Sequence, residues 1–379
     1  MIPLFKVHMP QGAFEPLVAT LTSGYLAEGP RVADFEREFG AVVGNRRAVA
    51  LNSGTSALTL ALRLAGVTEG SSVVTTPMTC TATNLAILSL GADPLWADVD
   101  AAGGQISPEA VNARFEYWSR HRITHRKPRA IMLVDWGGAP CDMLSLTNIA
   151  NRWRVPLIED AAHALGAQHH GFPVGSISDF TCFSLQAIKH ITTGDGGVLT
   201  CLDEEKYQRA RRLRWFGIDR STPTGDSRID VDIKEWGYKF HMNDVAATLG
   251  LVQLPYLGRI LDRHAANAAW YDRALSSYFE RVHQVPGTRS AWWLYTILLP
   301  NRSSRDEFVV FMNRRGVQVS RVHRPNDEYS VFEPYSHGAL PGTRLFSSRM
   351  VCIPVHWALT EDERQQVADA CNAWADGAR

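Results

Sequence analysis

One lysine, Lys189, stands in a short polar segment that is closed by glycines, Phe183–Gly197, and an apolar run follows at once. Upstream, another apolar run ends in two carboxylates within Leu157–His163. An amine is a nucleophile only while it is neutral, so a catalytic lysine needs a site that lowers its pKa. A carboxylate such as Asp160 could hold a positive charge on a ring nearby. These residue types are the ones that Schiff-base chemistry requires.

The cofactor that matches this combination is pyridoxal phosphate (PLP). We predict that Lys189 forms a Schiff base with it, and that Asp160 pairs with its pyridine nitrogen so that the ring can act as an electron sink. Each residue also has an ordinary interpretation. A lysine is usually a solvated surface charge, and an Asp after a buried strand often caps a helix. The combination of the residues in this order favours the catalytic interpretation.

The turn Asn52–Ala57 is a candidate phosphate site, because it joins a predicted strand, Arg47–Leu51, to an apolar helix, Leu58–Ala65. Small residues at a helix N-terminus present backbone N–H groups and hydroxyls to an anion. The turn lacks the G-x-x-x-x-G-K pattern of a Walker loop. The alternative is an ordinary helix start with Ser53 or Thr55 as its cap.

Strands and helices alternate up to residue 201, which is typical of α/β folds with a mostly parallel sheet sandwiched by helices. The predicted strands are Arg47–Leu51, Ser72–Thr76, Pro94–Asp100, Ala130–Asp135, Val155–Ile158, Phe180–Ser184 and Val198–Cys201. Ligands of such sheets bind at the carboxyl ends of the strands. We therefore expect four turns to converge there: Asn52–Ser56, Pro77–Thr81, Asp135–Gly138 and Asp160–His163.

The pattern predicts two domains. Residues 1–255 form a large α/β domain with an N-terminal arm, and residues 256–379 form a smaller α+β domain. Strands are expected in the smaller domain at Trp292–Leu299 and at Val317–Val322. The polar stretch 218–235 is expected to be a mobile loop.

Composition argues against several classes of function. The 379 residues are 45% hydrophobic and 21% charged, which is ordinary for a globular enzyme. Lys plus Arg and Asp plus Glu both number 39, so there is no basic excess for nucleic acid or an anionic membrane. No apolar run approaches the roughly 20 residues of a membrane span. The six cysteines lack C-x-x-C spacing, which favours reduced thiols in the cytoplasm over disulfides or a metal site.

Several stretches resemble the PLP-dependent sugar aminotransferases of the DegT/StrS family, within the fold-type I (aspartate aminotransferase) superfamily. The matching stretches are Ser23–Gly29, Asn52–Leu58, Gly91–Pro94, Glu159–His163, Phe183–Ser184, Lys189, Thr193–Gly197, Gly237–Met242, Gly250–Leu251 and Ile353–His356. They span almost the whole chain, and the set is specific in this order. The resemblance implies a sheet of the seven-stranded type and a homodimer with shared active sites.

Position by position, the resemblance implies a role for each matching residue. Lys189 would hold the cofactor and shuttle a proton, and Asp160 would bond the pyridine nitrogen. His163 would lie near the ring and its phenolic oxygen. The residues expected at the phosphate are Gly54, Thr55, Ser56, Ser184 and, from the neighbouring subunit, Lys239.

The chain also departs from the family pattern. Cys80 stands where the family often has an aromatic ring that stacks on the cofactor. Glutamine is more usual than His163, and asparagine is usual at Lys239. Asp195 replaces a glutamate, and Gln186 a histidine. A dehydratase branch of the family has histidine in place of the lysine, so the presence of Lys189 favours transamination.

The implied reaction is a ping-pong amino transfer. Glutamate, or alternatively glutamine, would donate the amine to a nucleotide-linked 4-keto-6-deoxyhexose. Residues expected to contact the substrate are Thr79, Gln186, His190, His323, Asn326 and His356. A keto-cyclitol or a 3-keto-sugar is the alternative acceptor. A non-enzymatic regulator would need a DNA-binding segment, and a Rossmann oxidoreductase would need G-x-G-x-x-G, which the first turn lacks.

Overall fold

A seven-stranded sheet forms the centre of the protein. The computed structural model describes residues 1–121, 126–220, 232–336 and 338–378. Its strands are β1 (Ala48–Leu51), β2 (Ser72–Thr75), β3 (Asp93–Trp96), β4 (Pro128–Val134), β5 (Leu157–Asp160), β6 (Gln168–His169), β7 (Phe172–Pro173), β8 (Phe180–Ser184), β9 (Gly197–Cys201), β10 (Glu280–Arg281), β11 (Thr288–Arg289), β12 (Tyr295–Leu298) and β13 (Met350–Ile353).

Helices cover this sheet and surround a smaller one. They are α1 (Phe14–Thr22), α2 (Pro30–Val42), α3 (Gly54–Leu64), α4 (Thr81–Leu88), α5 (Pro108–Arg120), α6 (Met143–Trp153), α7 (Glu204–Leu213), α8 (Asp244–Gln253), α9 (Leu257–Ala274), α10 (Arg302–Arg314), α11 (Pro341–Arg349) and α12 (Glu361–Gly377). Within the described ranges, every helix is too short or too polar to cross a membrane.

The central sheet has the strand order β1-β9-β8-β5-β4-β2-β3. Strand β9 runs antiparallel to both of its neighbours, and the other pairs are parallel. Residues of β1, β2 and β5 are buried along their whole length, because helices cover both faces of the sheet. The predicted α/β fold with a mostly parallel sheet is therefore confirmed.

The C-terminal part of the chain builds an antiparallel sheet, β10-β12-β13, beside helices α9 to α12. The predicted strand at 292–299 is present as β12, but the one predicted at 317–322 is wrong. Val317 and Ser320 form only isolated bridges, to Ile2 and Cys352. Val322 has a positive φ of 59°, which breaks the extended conformation. Residues 221–231, most of the predicted loop, lie outside the described residues.

Side-chain caps explain where key helices begin. Ser53 accepts a hydrogen bond from the Ser56 backbone N–H at 3.0 Å, so it is the cap of α3. Asn243 caps α8 in the same way. Asp244 instead accepts bonds from Gly29 and Val32 at the start of α2, and thus ties two distant helices together.

Asp98, after β3, joins the central sheet to the C-terminal part of the chain. Its carboxylate accepts hydrogen bonds from the backbone N–H groups of Gly342 and Thr343 and from the Thr343 hydroxyl, each at 2.7 Å. These N–H groups belong to the first turn of α11, where no intrahelical acceptor exists. The same end of the helix carries the positive end of its dipole.

Replacing Asp98 by Ala should therefore lower the free energy of unfolding by about 2 kcal/mol, because a charged acceptor is removed from the three donors of α11. Urea unfolding followed by circular dichroism measures the change. The matched control is Asp100→Ala, since Asp100 is exposed and its side chain accepts one bond, from Ala102 at 3.3 Å. Equal losses in the two variants would contradict this account of Asp98.

Candidate active site

A cavity of about 490 Å³ opens at the carboxyl ends of β4, β5 and β8, beside the N-terminus of α3. This is the edge of the sheet at which the strand pattern predicted a ligand site. Most of the predicted site residues line it: Gly54, Thr55, Thr79, Asp160, His163, Ser184, Gln186, Lys189 and His323.

Lys189 follows β8 and reaches into this cavity. Burial lowers the pKa of its amine to about 8, and the charges of Asp160 and Cys80 act in the opposite direction. Its Nζ lies 3.9 Å from the centroid of the Trp293 ring, a cation–π distance. A lysine in this state is partly neutral near neutral pH, as an amine nucleophile must be.

Asp160 ends β5 and is buried. The Thr83 hydroxyl donates to its Oδ2 at 2.7 Å, and the Ala162 backbone N–H donates to its Oδ1 at 3.1 Å. Burial raises the pKa of this carboxyl, while these two donors and the Lys189 charge lower it. The arrangement suits an acid that must face a positive charge in a dry site.

The start of α3 offers a cradle for a phosphate. The first N–H groups of a helix have no intrahelical acceptor and attract anions. Gly54 lies close to β8, and a Cβ there would be 3.0 Å from the Ser184 Cβ, so a larger residue would have to displace Ser184 slightly. Ser56 does not line the cavity, and its hydroxyl donates to Asn52 Oδ1 at 2.6 Å.

His163 is buried beside the lysine. Its ring stacks on Trp293 with 3.7 Å between centroids, and the His323 ring lies parallel at 5.7 Å. Burial lowers the pKa of the His163 imidazole well below its usual range, so the ring is neutral. Its Nδ1 has no hydrogen-bond partner among the described residues, which fits a site that receives polar atoms of a cofactor. The residues present thus fit PLP.

Four other predicted residues lie away from this cavity. His190 Nε2 contacts the Ala291 carbonyl at 2.9 Å, and its ring lies 4.8 Å from that of His264. His356 is buried near Asn267, which donates to its carbonyl. Lys239 is exposed, and its Nζ lies 4.8 Å from the Trp215 ring.

Asn326, the fourth, is buried and braces the site from behind. Its Nδ2 donates to the Thr79 carbonyl, and its Oδ1 accepts from Asn84, both at 2.8 Å. The Thr79 hydroxyl in turn bonds Thr83, the donor to Asp160. Both polar atoms of the Asn326 side chain are therefore used in hydrogen bonds to residues near Asp160.

Sequence reasoning overlooked the residues that the N-terminal arm and the C-terminal part bring to the cavity. These are Leu4, Phe5, Trp293, Gln318, Ser320 and Val322. From the sequence, Trp293 could stack on a base of the substrate, but an aromatic residue in a predicted strand is more often core, and no spacing relates it to the lysine. The available signal was its place in a cluster of aromatic residues, Trp292, Trp293 and Tyr295.

Comparisons with known proteins agree with this geometry. A sequence model of the DegT/DnrJ/EryC1/StrS aminotransferase family matches residues 11–372. The spore coat polysaccharide biosynthesis protein SpsC of Bacillus subtilis (strain 168) is 31% identical over an alignment 383 residues long. This alignment covers 96% of this chain and 94% of that protein.

Solved structures are similar over nearly the whole chain. The sugar aminotransferase CalS13 from Micromonospora echinospora has a TM-score of 0.91 and 35% identity, and covers 98% of this chain and 100% of its own. AtS13 from Actinomadura melliaura has a TM-score of 0.89 and 38% identity, with 98% of each chain covered. The PLP form of the putative sugar aminotransferase Spr1654 from Streptococcus pneumoniae has a TM-score of 0.90 and 26% identity, over 100% of this chain and 99% of its own.

The buried histidines behind the site predict a loss of stability in acid. Burial lowers the pKa of His264 from 6.5 to about 4, although its Nδ1 contacts the Trp292 carbonyl at 2.8 Å. The unfolded chain therefore binds more protons between pH 6.5 and 4, so the free energy of unfolding should fall as the pH drops through that window. Urea unfolding at a series of pH values measures the slope.

Replacing His264 by Gln should make this slope shallower by up to about 1.4 kcal/mol per pH unit, since one titrating group is lost. His121→Gln is the matched control, because His121 is exposed at the end of α5. An unchanged slope in the His264 variant would mean that this imidazole does not resist protonation in the folded protein.

Proposed function

The chain belongs to the DegT/DnrJ/EryC1/StrS aminotransferase family of PLP-dependent sugar aminotransferases, and we propose that it transfers an amino group from glutamate to a keto-sugar nucleotide. The acceptor is a nucleotide-linked 4-keto-6-deoxyhexose. The observation that carries the proposal is the meeting of Lys189 and Asp160 in one cavity with the N-terminus of α3.

Each of these groups has a task in the proposed reaction. PLP, when bound, supplies the electron sink that stabilises negative charge on the carbon next to the amine. Asp160 keeps the positive charge on the cofactor's ring nitrogen, because it is a buried acid with its other hydrogen bonds already satisfied. The N–H groups of Gly54 and Thr55 and the Ser184 hydroxyl hold the phosphate.

Lys189 moves the proton in both halves of the reaction. Its Nζ removes a proton from the donor's α-carbon in the first half and returns one to the sugar carbon in the second. A pKa of about 8 suits both directions, since the amine can be neutral or protonated near neutral pH. We expect a ping-pong order, in which donor and acceptor bind in turn in the same cavity of about 490 Å³.

The relatives support a sugar as the acceptor. SpsC is named for polysaccharide biosynthesis, and CalS13 is described as a sugar aminotransferase. His323, Gln186 and Thr79 line the cavity beside the lysine and carry the polar groups that a hydroxylated ring needs. A keto-cyclitol or a 3-keto-sugar would use the same cofactor residues, so the acceptor itself has to be tested.

The proposed assembly is a homodimer that completes each site. Helix α1 exposes Phe14, Val18 and Leu21 along one face, and Phe14 is 73% exposed. A shallow cavity lined by Leu26 and by residues of α8 shares Asp195 with the catalytic cavity, so a partner seated there would adjoin the site. The exposed Lys239 would reach the phosphate of the partner's cofactor as a point charge.

The acceptor is tested by incubating the PLP-loaded protein with glutamate and a panel of keto compounds. The panel contains 4-keto-6-deoxyhexoses linked to different nucleotides, a 3-keto-sugar nucleotide and a keto-cyclitol, and the amino product is followed by mass. We expect amination of a nucleotide-linked 4-keto-sugar by the wild-type protein and none by Lys189→Ala. Turnover of the keto-cyclitol alone, or full activity of the lysine variant, would refute the proposal.

Shared sites are tested by mixing two impaired variants. Lys189→Ala lacks the amine, and Lys239→Ala should bind PLP weakly because one phosphate contact is lost. If each site uses Lys189 of one subunit and Lys239 of the other, random mixed dimers should recover about a quarter of wild-type activity. A mixture no more active than its components would show that the sites are not shared in this way.

A further inference from the structure

Trp293 is a side chain of the C-terminal part of the chain that contacts the lysine segment. It is 3% exposed and lines the catalytic cavity, two residues before β12. Its neighbour Trp292 faces a different cavity, of about 430 Å³, on the other side of the same segment. The two tryptophans therefore line two different cavities, and of the two only Trp293 contacts the amine of Lys189.

The first contact is between the Trp293 ring and the Lys189 amine. Nζ lies 3.9 Å from the ring centroid, within the range at which the face of an indole attracts an ammonium. The other titratable groups that act on this amine are Asp160 and Cys80, and the imidazoles of His163, His190 and His323 are close enough to sense its charge. These imidazoles are neutral and neither attract nor repel the ammonium strongly. The protonated amine of Lys189 is therefore attracted by the Asp160 carboxylate and, in addition, by the indole ring of Trp293.

The second contact is a hydrogen bond to the backbone of the lysine segment. Trp293 Nε1 donates to the Ile188 carbonyl at 3.0 Å, one residue before Lys189. This bond fixes the peptide from which the lysine side chain leaves, in a segment with turns and no helix to hold it. The same indole stacks on His163 at 3.7 Å, so one ring orients both groups.

Trp293 is itself held firmly. Ala291 and Leu294, on either side of the tryptophan pair, donate backbone hydrogen bonds to Gly138 and Gly137 at 2.8 and 3.0 Å. The turn after β4 packs tightly against the backbone of Trp293, because a Cβ at Gly138 would lie 3.0 Å from the Trp293 backbone nitrogen. On the outer side, Phe5 of the N-terminal arm stacks on the indole at 4.8 Å.

From these contacts we infer that Trp293 is a positioning residue for the amino-transfer step: its ring favours the protonated amine of Lys189, and its N–H fixes the backbone that carries the lysine. The inference rests on the proposed role of Lys189. A tryptophan that only filled the core would affect stability, but it would not alter how the lysine titrates.

Two substitutions separate the two contacts. Trp293→Leu removes the ring and the N–H, whereas Trp293→Phe keeps a ring beside the amine and removes only the N–H. The matched control is Trp292→Phe, the same change in the neighbouring residue that faces the other cavity. Thermal unfolding of each variant identifies those that are folded at the assay temperature.

The main readout uses protein freed of its cofactor. The rate at which PLP is captured, followed by its visible absorption, is measured against pH, because only the neutral amine reacts. For Trp293→Leu the midpoint should move to lower pH by about half to one unit, since the protonated amine has lost an attractive partner. Trp293→Phe should shift the midpoint less, and Trp292→Phe should match wild type.

Steady-state kinetics supply the second readout. Trp293→Phe should lower kcat by about fivefold with KM unchanged, because the Ile188 carbonyl loses its donor and the amine is less well placed. A folded Leu variant whose midpoint is unmoved or moves to higher pH would overturn the inference, as would a Phe variant with wild-type kcat. Capture of PLP by Lys189→Ala would instead refute the proposed role of the lysine, which keeps the two failures distinct.

Discussion

The amine of Lys189 and the carboxylate of Asp160 share one cavity, and burial there disfavours the charged form of both. The protonation of the site depends on the balance between this burial and the attraction of the two charges. Burial lowers the pKa of Lys189 and raises that of Asp160, while each charge offsets the effect of burial on the other. Hydrogen bonds from Thr83 and Ala162 further favour the ionised acid. The outcome is an amine that changes protonation near neutral pH beside an acid that can retain a negative charge.

The fold supplies this pair by bringing remote segments to one edge of the central sheet. The acid ends β5, the lysine follows β8, and the anion cradle begins α3, because parallel strands end at the same edge. The C-terminal part of the chain closes the cavity and braces it. Asn326 holds the segment that orients the acid, and Trp293 contacts the lysine segment. The C-terminal part of the chain therefore contacts both the segment next to the acid and the segment that carries the lysine.

Much of this arrangement could be predicted from the sequence because strand ends have a known direction. The lysine, the acid and the residues Gly54, Thr55 and Ser184 lie at the ends of strands or shortly after them, and all five line one cavity. His190 and His356 lie in loops and Asn326 begins a short 3-10 helix. Spacing in such segments does not tell which way a side chain points, and none of the three residues lines the cavity. Trp293 was overlooked because an aromatic residue near a strand is usually core, and only tertiary packing brings it to the amine.

The most direct test asks which amine holds the cofactor. The purified protein is loaded with PLP, the bond between protein and cofactor is reduced with borohydride, and the modified peptide is located by mass spectrometry. The account predicts a single phosphopyridoxyl group, attached to Lys189. In the Lys189→Ala variant, which keeps Asp160, the same peptide should carry no label. A label on another lysine, or no stable label at all, would contradict it.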